Sequence, residues 1–342
     1  MKYVSLDSVE PGQYLGKTIF AGSGAVLLAE GVQLTVYMIN TLRRIGVSML
    51  YIQEPLFEDA VYEDPVSEEN KRLVMHRLGD AMEAIRSGKD FSTRAVGVSI
   101  DKLLEDISQN TEVLLQLSDI RTHDNAQFVH ALNVATISAL MGVNMGYNQV
   151  QLKELTIGAL LHDIGKVESI TDDESSDPKV HHTWRGFDLL KSKREFSLLI
   201  AHAAFQHHER PDGLGIPRGL TDDQIHPYAK IVKVANTYDN LLYQDTAVRM
   251  LPHEACERML AMAGTELDHE ALVQFMRIIS IYPTGISVRL SSKEVGVVVG
   301  QHRGLPGRPI VRIVRQEFDG EVDTKEVDLA KHTTLFVESV LQ

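Results

Sequence analysis

From Asn70 to about Tyr282 the apolar residues recur at spacings of three and four, and strand-type alternation is absent. Lys71–Arg86 and Ile100–Leu117 show it most clearly, with Leu, Met, Val and Ile gathered on one stripe. A run of this length commits most of the chain to helices packed on one another. On either side the pattern changes. Residues 1–55 read as a small mixed module, with β-rich pieces at Tyr14–Phe20, Ala25–Leu28 and Ser48–Ile52 around a helical pattern at Thr35–Ile45. The acidic stretch Glu54–Glu69, which contains Pro55 and Pro65, reads as a linker, so residues 56–94 form a linker and connecting helix. After Pro283 strand patterns return at Ile286–Leu290, Val295–Val299, Pro309–Val314 and Glu321–Val327. The expected architecture is therefore mainly α. An all-helical domain over 95–282 stands between a small N-terminal α+β module and a β-rich C-terminal module over 283–342.

Composition narrows the function. With 342 residues, 44% of them hydrophobic, the chain can bury one sizeable core and smaller attached ones. Cys256 is the only cysteine, which excludes a disulfide framework and fits a reducing compartment. The first residues lack a basic segment followed by an apolar one, and the expectation is a cytoplasmic protein. The longest apolar stretch, around Leu132 to Met145, is broken by Asn133, Thr136, Ser138 and Asn144, and is not expected to span a bilayer. A net charge of −13 without a Lys/Arg run argues against a nucleic-acid polymer as partner. It says nothing against a single nucleotide, because metal ions and a few placed cations set the local field.

Seven side chains stand out from the helical background: His130, His162, Asp163, His182, His207, His208 and Asp239. Imidazole and carboxylate are the N and O donors that borderline divalent metals accept, and no thiolate competes with them. Each has a bland alternative. His130 lies on an apolar helix, where a lone histidine is more often a satisfied core residue; Asn133 shares its face one turn on. His162-Asp163 precedes Gly165-Lys166, an ordinary helix ending. Against that reading, an unpaired His-Asp doublet beside the apolar run Ile157–Leu161 is costly to bury. Of His181-His182, one faces away by the helical period, and His181 is the one assigned to that role. His207-His208 closes the apolar stretch Leu198–Phe205 and opens a Gly/Pro loop, Glu209 to Pro217, whose backbone can approach a ligand closely. Asp239 sits on an apolar helix, where a carboxylate needs a cationic partner. The remaining histidines, including His202, are read as unremarkable.

The stretches FVHALNVA, LLHDIGK, HHTWRG, QHHERPDGLGIPRGL and KVANTYDNL, in this order, resemble the HD-GYP family of HD metal-dependent phosphohydrolases over roughly residues 95–282. The resemblance implies an all-helical HD-type domain and hydrolysis of cyclic di-GMP. It implies a first ion held by His130, His162, Asp163 and Asp239, and a second held by His182, His207 and His208, with Asp163 between them. Iron or manganese is favoured, with Zn, Co or Ni compatible with the donors. Asp163 and Lys166 would carry the chemistry, and Lys166, Arg210, Asp212, Gly213, Gly215 and Arg249 would meet the nucleotide.

The chain also departs from the family pattern. Gly215-Ile216-Pro217 replaces Gly-Tyr-Pro, Ala126 stands where some members place a third-metal Glu, and the segment Val167–Val180 is short and acidic. The arginine-rich stretch after the last Asp is reduced to Gln244–Met250. These changes leave open a catalytically weak metal-containing nucleotide sensor, or a phosphohydrolase for another nucleotide. The amphipathic stretch Lys71–Arg86 suggests a homodimer.

Overall fold

The computed structural model describes residues 1–342 except 58–62, 118, 169–180, 244–249, 317–321 and 342. At the N-terminus, β1 (Lys2–Ser5) pairs antiparallel with β4 (Met49–Ile52), and β2 (Ile19–Phe20) pairs with β3 (Val26–Leu28). Between β3 and β4 lies α1 (Val36–Arg44), capped by the Thr35 hydroxyl, which accepts from the Met38 N–H. Leu6, Leu15, Ile19, Leu34, Leu42 and Leu50 close a small core of their own, joined by the distant Ile120. The β pieces and the helix match the alternation and the periodicity in the sequence. β1 has no such pattern: its four residues are all half-buried, and it is held by its partner strand.

Eight helices follow: α2 (Glu68–Arg86), α3 (Thr93–Gln109), α4 (Ala126–Asn144), α5 (Gln149–Leu160), α6 (His182–Lys191), α7 (Leu198–Gln206), α8 (Pro227–Tyr243) and α9 (Pro252–Ala261). A ninth, α10 (His269–Ile278), completes the helical part. Side-chain oxygens cap α2 (Ser67), α3 (Ser92), α5 (Asn148), α7 (Ser197) and α10 (Asp268), each accepting a hydrogen bond from an otherwise orphaned backbone N–H. α3 stops at Gln109, short of the expected Leu117. From there the chain extends, and Leu115 exchanges backbone hydrogen bonds with Ile278 and Ser280 at the end of α10.

α4 is enclosed by α2, α3, α5, α8 and α10. Among the described residues it is the one helix long and apolar enough to cross a bilayer, so the polar interruptions do not remove it from that class. Here Asn133, Thr136 and Ser138 are buried with the rest of α4 inside the helical core. α2 belongs to the same core, through Val74, Met75, Leu78 and Met82. The apolar stripe that suggested a partner subunit is thus used within the chain, and it gives no support to a homodimer.

The C-terminal part is a five-stranded antiparallel sheet in the order β8-β7-β6-β5-β9, formed by β5 (Ser287–Leu290), β6 (Val295–Gly300), β7 (Ile310–Gln316), β8 (Val322–Asp328) and β9 (Val337–Leu341). Val288, Leu290, Val298, Val311, Ile313 and Val327 alternate inward to form its core. The architecture is the expected one, mainly helical and flanked by a small α+β unit and a β unit.

Candidate metal centre

Helix ends bring the donors together. His162 and Asp163 leave the C-terminus of α5, His182 opens α6, and His207-His208 leave α7. α6 packs on α7, α7 packs on α5 and α8, and α4 packs on α5 and α8, so that α4 brings His130 and α8 brings Asp239. Side chains at helix termini can turn across the helix axis, so five donors converge without bending any helix.

Two nests result. In the first, His130, His162 and Asp163 present ligand atoms within 4.8 Å of one another; in the second, Asp163, His182, His207 and His208 do the same. Asp163 serves both with different oxygens. Its Oδ2 lies 3.4 Å from His162 Nε2 and 3.7 Å from His130 Nε2, while Oδ1 lies 3.3 Å from His182 Nε2 and 3.5 Å from His207 Nε2. Oδ1 is buried and has no hydrogen-bond partner among the described residues.

The tautomers fit cations. His162 Nδ1 lies 2.8 Å from the Ala159 carbonyl and His207 Nδ1 lies 2.8 Å from that of Ala204. A carbonyl can only accept, so both rings carry their proton on Nδ1. His130 Nδ1 lies 2.6 Å from Asp239 Oδ2, which sets the same tautomer. Yet His130 Nε2 and His162 Nε2 stand 3.2 Å apart, and His182 Nε2 stands 3.4 Å from His207 Nε2 and 3.2 Å from His208 Nε2. The bare Nε2 lone pairs of His130 and His162, 3.2 Å apart, repel unless a cation lies between them. The donor set, the orphaned Oδ1 and the inward lone pairs all fit divalent metal.

Electrostatics keeps the donors in their binding forms. Burial, reinforced by the neighbouring histidines, pushes His182 down to about 2 and His207 down to about 4; His208 also falls well below the usual imidazole range. All three are neutral at neutral pH. Burial alone would raise Asp163, but its neighbours His162 and His207, with the Lys166 ammonium, hold it well below the usual carboxylate range.

The other expected residues fall around this centre. Lys166 Nζ lies 2.6 Å from Asp163 Oδ2 and is partly exposed, at the mouth of the site. Asp239 is displaced from its expected place: it stands on the Nδ1 side of His130, outside both nests. Its charge is met by the Arg121 guanidinium, and Asn133 Nδ2 donates to its Oδ1 at 2.8 Å. Arg210 and Asp212 grip each other in a two-pronged pair at 3.0 and 2.6 Å and brace the loop. Gly213 supplies a positive φ of 77°, and at Gly215 a Cβ would stand 2.3 Å from the Arg210 nitrogen. Both glycines are needed to fold the loop. His181 caps α6 by accepting from the Thr183 N–H. Arg249 and most of the acidic segment after Lys166 lie outside the described residues.

Three residues were missed in the sequence. Glu209, almost fully buried, accepts from the Arg218 and Leu220 N–H groups at 2.8 and 2.9 Å and pins the loop at both ends. Lys233 Nζ reaches the His208 carbonyl at 3.5 Å, and burial beside Arg210 brings it down to about 8. Arg121 is the third. Glu209 had a local signal, lying directly after the His doublet; the other two are contributed by remote segments.

Residues 128–241 match the family described as HD domain, and residues 287–342 match the KOW domain associated with HD domain. A cyclic di-GMP phosphodiesterase of Pseudomonas aeruginosa is 27% identical over 242 residues, covering 68% of this chain and 57% of the relative. One from Thermotoga maritima is 30% identical over 178 residues, covering 49% and 48%. A 3′3′-cGAMP-specific phosphodiesterase of Vibrio cholerae is 28% identical over 165 residues, covering 45% and 35%. The chain thus spans little more than half the length of these relatives, or less. A crystal structure of a cyclic GMP-AMP specific phosphodiesterase from V. cholerae overlays with a TM-score of 0.35 at 18% identity, covering 43% of this chain and 42% of that one.

Proposed function

The central helical part of this chain is an HD domain of the HD-GYP type, and from that premise we propose that the protein is a metal-dependent phosphodiesterase that opens a cyclic dinucleotide, with cyclic di-GMP as the first choice of substrate. The observation that carries the reading is Asp163, whose two oxygens face two separate histidine nests. That arrangement supports two ions, held by His130, His162 and Asp163 on one side and by Asp163, His182, His207 and His208 on the other. Bound there, the ions would supply a nucleophile from water at neutral pH and offset the charge that builds on the phosphoryl oxygens.

The reaction adds water across one P–O bond. The water oxygen bonds to phosphorus, the ribose 3′ oxygen leaves, and a proton ends on that oxygen. The chain's own residues prepare this. His182, His207 and His208 are neutral, the form that binds a cation, and Asp163 stays ionised. Lys166 lies next to Asp163 at the open side and gives an incoming phosphate a point charge. Glu209 and the Arg210–Asp212 pair hold the loop that walls the second nest.

The rim favours a second reading, a metal-containing nucleotide sensor with slow turnover. Leu214 and Ile216 are exposed on the loop where the family has a tyrosine, and Arg210 is engaged with Asp212. Incubating manganese- or iron-loaded protein with cyclic di-GMP and 3′3′-cGAMP separates the readings. Conversion to a linear dinucleotide, lost in His162→Ala, supports the enzyme; tight binding with turnover no faster than metal in buffer supports the sensor.

A further inference from the structure

We infer that Arg121 is a positioning residue for the first nest, and that the N-terminal module holds it in place. The inference rests on the two-ion reading of the site but not on the identity of the nucleotide. Arg121 belongs to no helix or strand. Its guanidinium is about nine-tenths buried, pairs with the fully buried Asp239 and lies 3.7 Å over the Tyr243 ring. Asp239 in turn receives His130 Nδ1–H at 2.6 Å, which leaves His130 Nε2 bare and aimed at His162 and Asp163. A buried carboxylate without a cation would abandon this geometry, protonate or draw in water. Arg121 is thus the charge that keeps Asp239, and through it the His130 ring, in register.

The residues around Arg121 are held from the other side. Ile120 is part of the N-terminal core, with Leu15 and Leu50. Asp119 accepts from Lys71 at 2.9 Å and faces Lys17 at 3.7 Å, all three being largely buried. The His123 N–H donates to the Ile45 carbonyl at 2.8 Å, Gly22 N–H donates to Asp124 Oδ2 at 2.8 Å, and Asn125 Nδ2 donates to the Phe20 carbonyl at 2.7 Å. The segment therefore has one face on the N-terminal module and, at Arg121, one side chain in the metal centre. A shift of that module moves Arg121, and with it the His130 ring.

The test is a Co(II) titration of the full chain, read by visible absorption, for wild type, Arg121→Gln and Gly22→Val. A Cβ at Gly22 stands 2.8 Å from the Asp124 carbonyl oxygen and 2.9 Å from the Phe128 ring, so valine wedges the module away without touching a donor. The expected result is two ions in wild type and, in Arg121→Gln, one ion weakened about 10- to 100-fold with the other unchanged. Gly22→Val should weaken the same ion by a smaller factor, with the same change in its absorption band. Unchanged affinities in Arg121→Gln, or equal loss of both ions, would overturn the inference. Should Arg121→Gln not fold, an unaltered first ion in Gly22→Val overturns it instead. Fewer than two ions in wild type would sink the two-ion reading itself, a separate result.

Discussion

The second nest takes His182, His207 and His208 from the facing ends of α6 and α7, two helices in direct contact, and all three side chains come from within about 27 positions of chain. The first nest takes His130 from α4 and His162 from the end of α5, and the His130 ring depends on Asp239 of α8 and on Arg121 from a segment packed against another core. The second is a local construction; the first is assembled over long distances. A local nest survives disturbance elsewhere in the molecule, whereas an assembled one answers to it, which makes the first nest the place where the N-terminal module can act on the site. Only Asp163 is common to both.

That comparison is broken most severely at Asp163. Asp163→Asn should cost both ions, each by more than the ~10- to 100-fold typical of losing an outer partner, and should abolish turnover. Metal analysis of the dialysed variant checks it, and loss of a single ion would show that the carboxylate serves only one nest. Next comes Gly165→Ala. A Cβ there stands 2.1 Å from the His182 carbonyl oxygen and 2.6 Å from the Gly186 nitrogen, so α6 must move. We expect about 3 kcal/mol of destabilisation in urea unfolding, with the second ion weakened and the first retained.

Acid should also strike the second nest. His182, His207 and His208 have folded pKa values below the unfolded value near 6.5, so the unfolded chain binds more protons as pH falls. Their contribution to stability is present above that value and declines as pH drops through it. For three such groups the metal-free protein should lose about 2 kcal/mol between pH 7 and pH 6. Urea unfolding at the two pH values measures this, and His208→Gln should reduce the slope by about a third. An unchanged slope would mean that these histidines are not buried neutral. The smallest effect is expected at the rim. Ile216→Tyr restores a stacking face on an exposed position and should lower KM for cyclic di-GMP by about tenfold at most, leaving metal content unaltered.

The local nest was also the legible one. The doublet His207-His208 sits where the apolar run of α7 stops, and the sequence displays both the donors and the reason they face inward. The helices were readable too, since α2 and α3 bury stripes that repeat every three or four residues, while α4 and α7 are apolar runs buried nearly all round. What depends on distant partners was not readable. Arg121 finds Asp239 from 118 positions away, and nothing in the local pattern around Arg-Thr-His-Asp-Asn marks it as an ion-pair partner. Asp239 was correctly expected to need a cation, but an arginine supplies one in the structure. β1 and β9 were missed because half-buried residues without alternation define them only through their neighbours, β4 and β5.

The central claim is a two-ion phosphodiesterase built on Asp163. Its most direct test is metal content and nucleotide product measured on a single anaerobically prepared sample, wild type beside Asp163→Asn. The account predicts close to two ions per chain and a linear dinucleotide from cyclic di-GMP in wild type, with neither in the variant. Wild-type protein that carries at most one ion, or that carries two and leaves the cyclic dinucleotide intact, would contradict it.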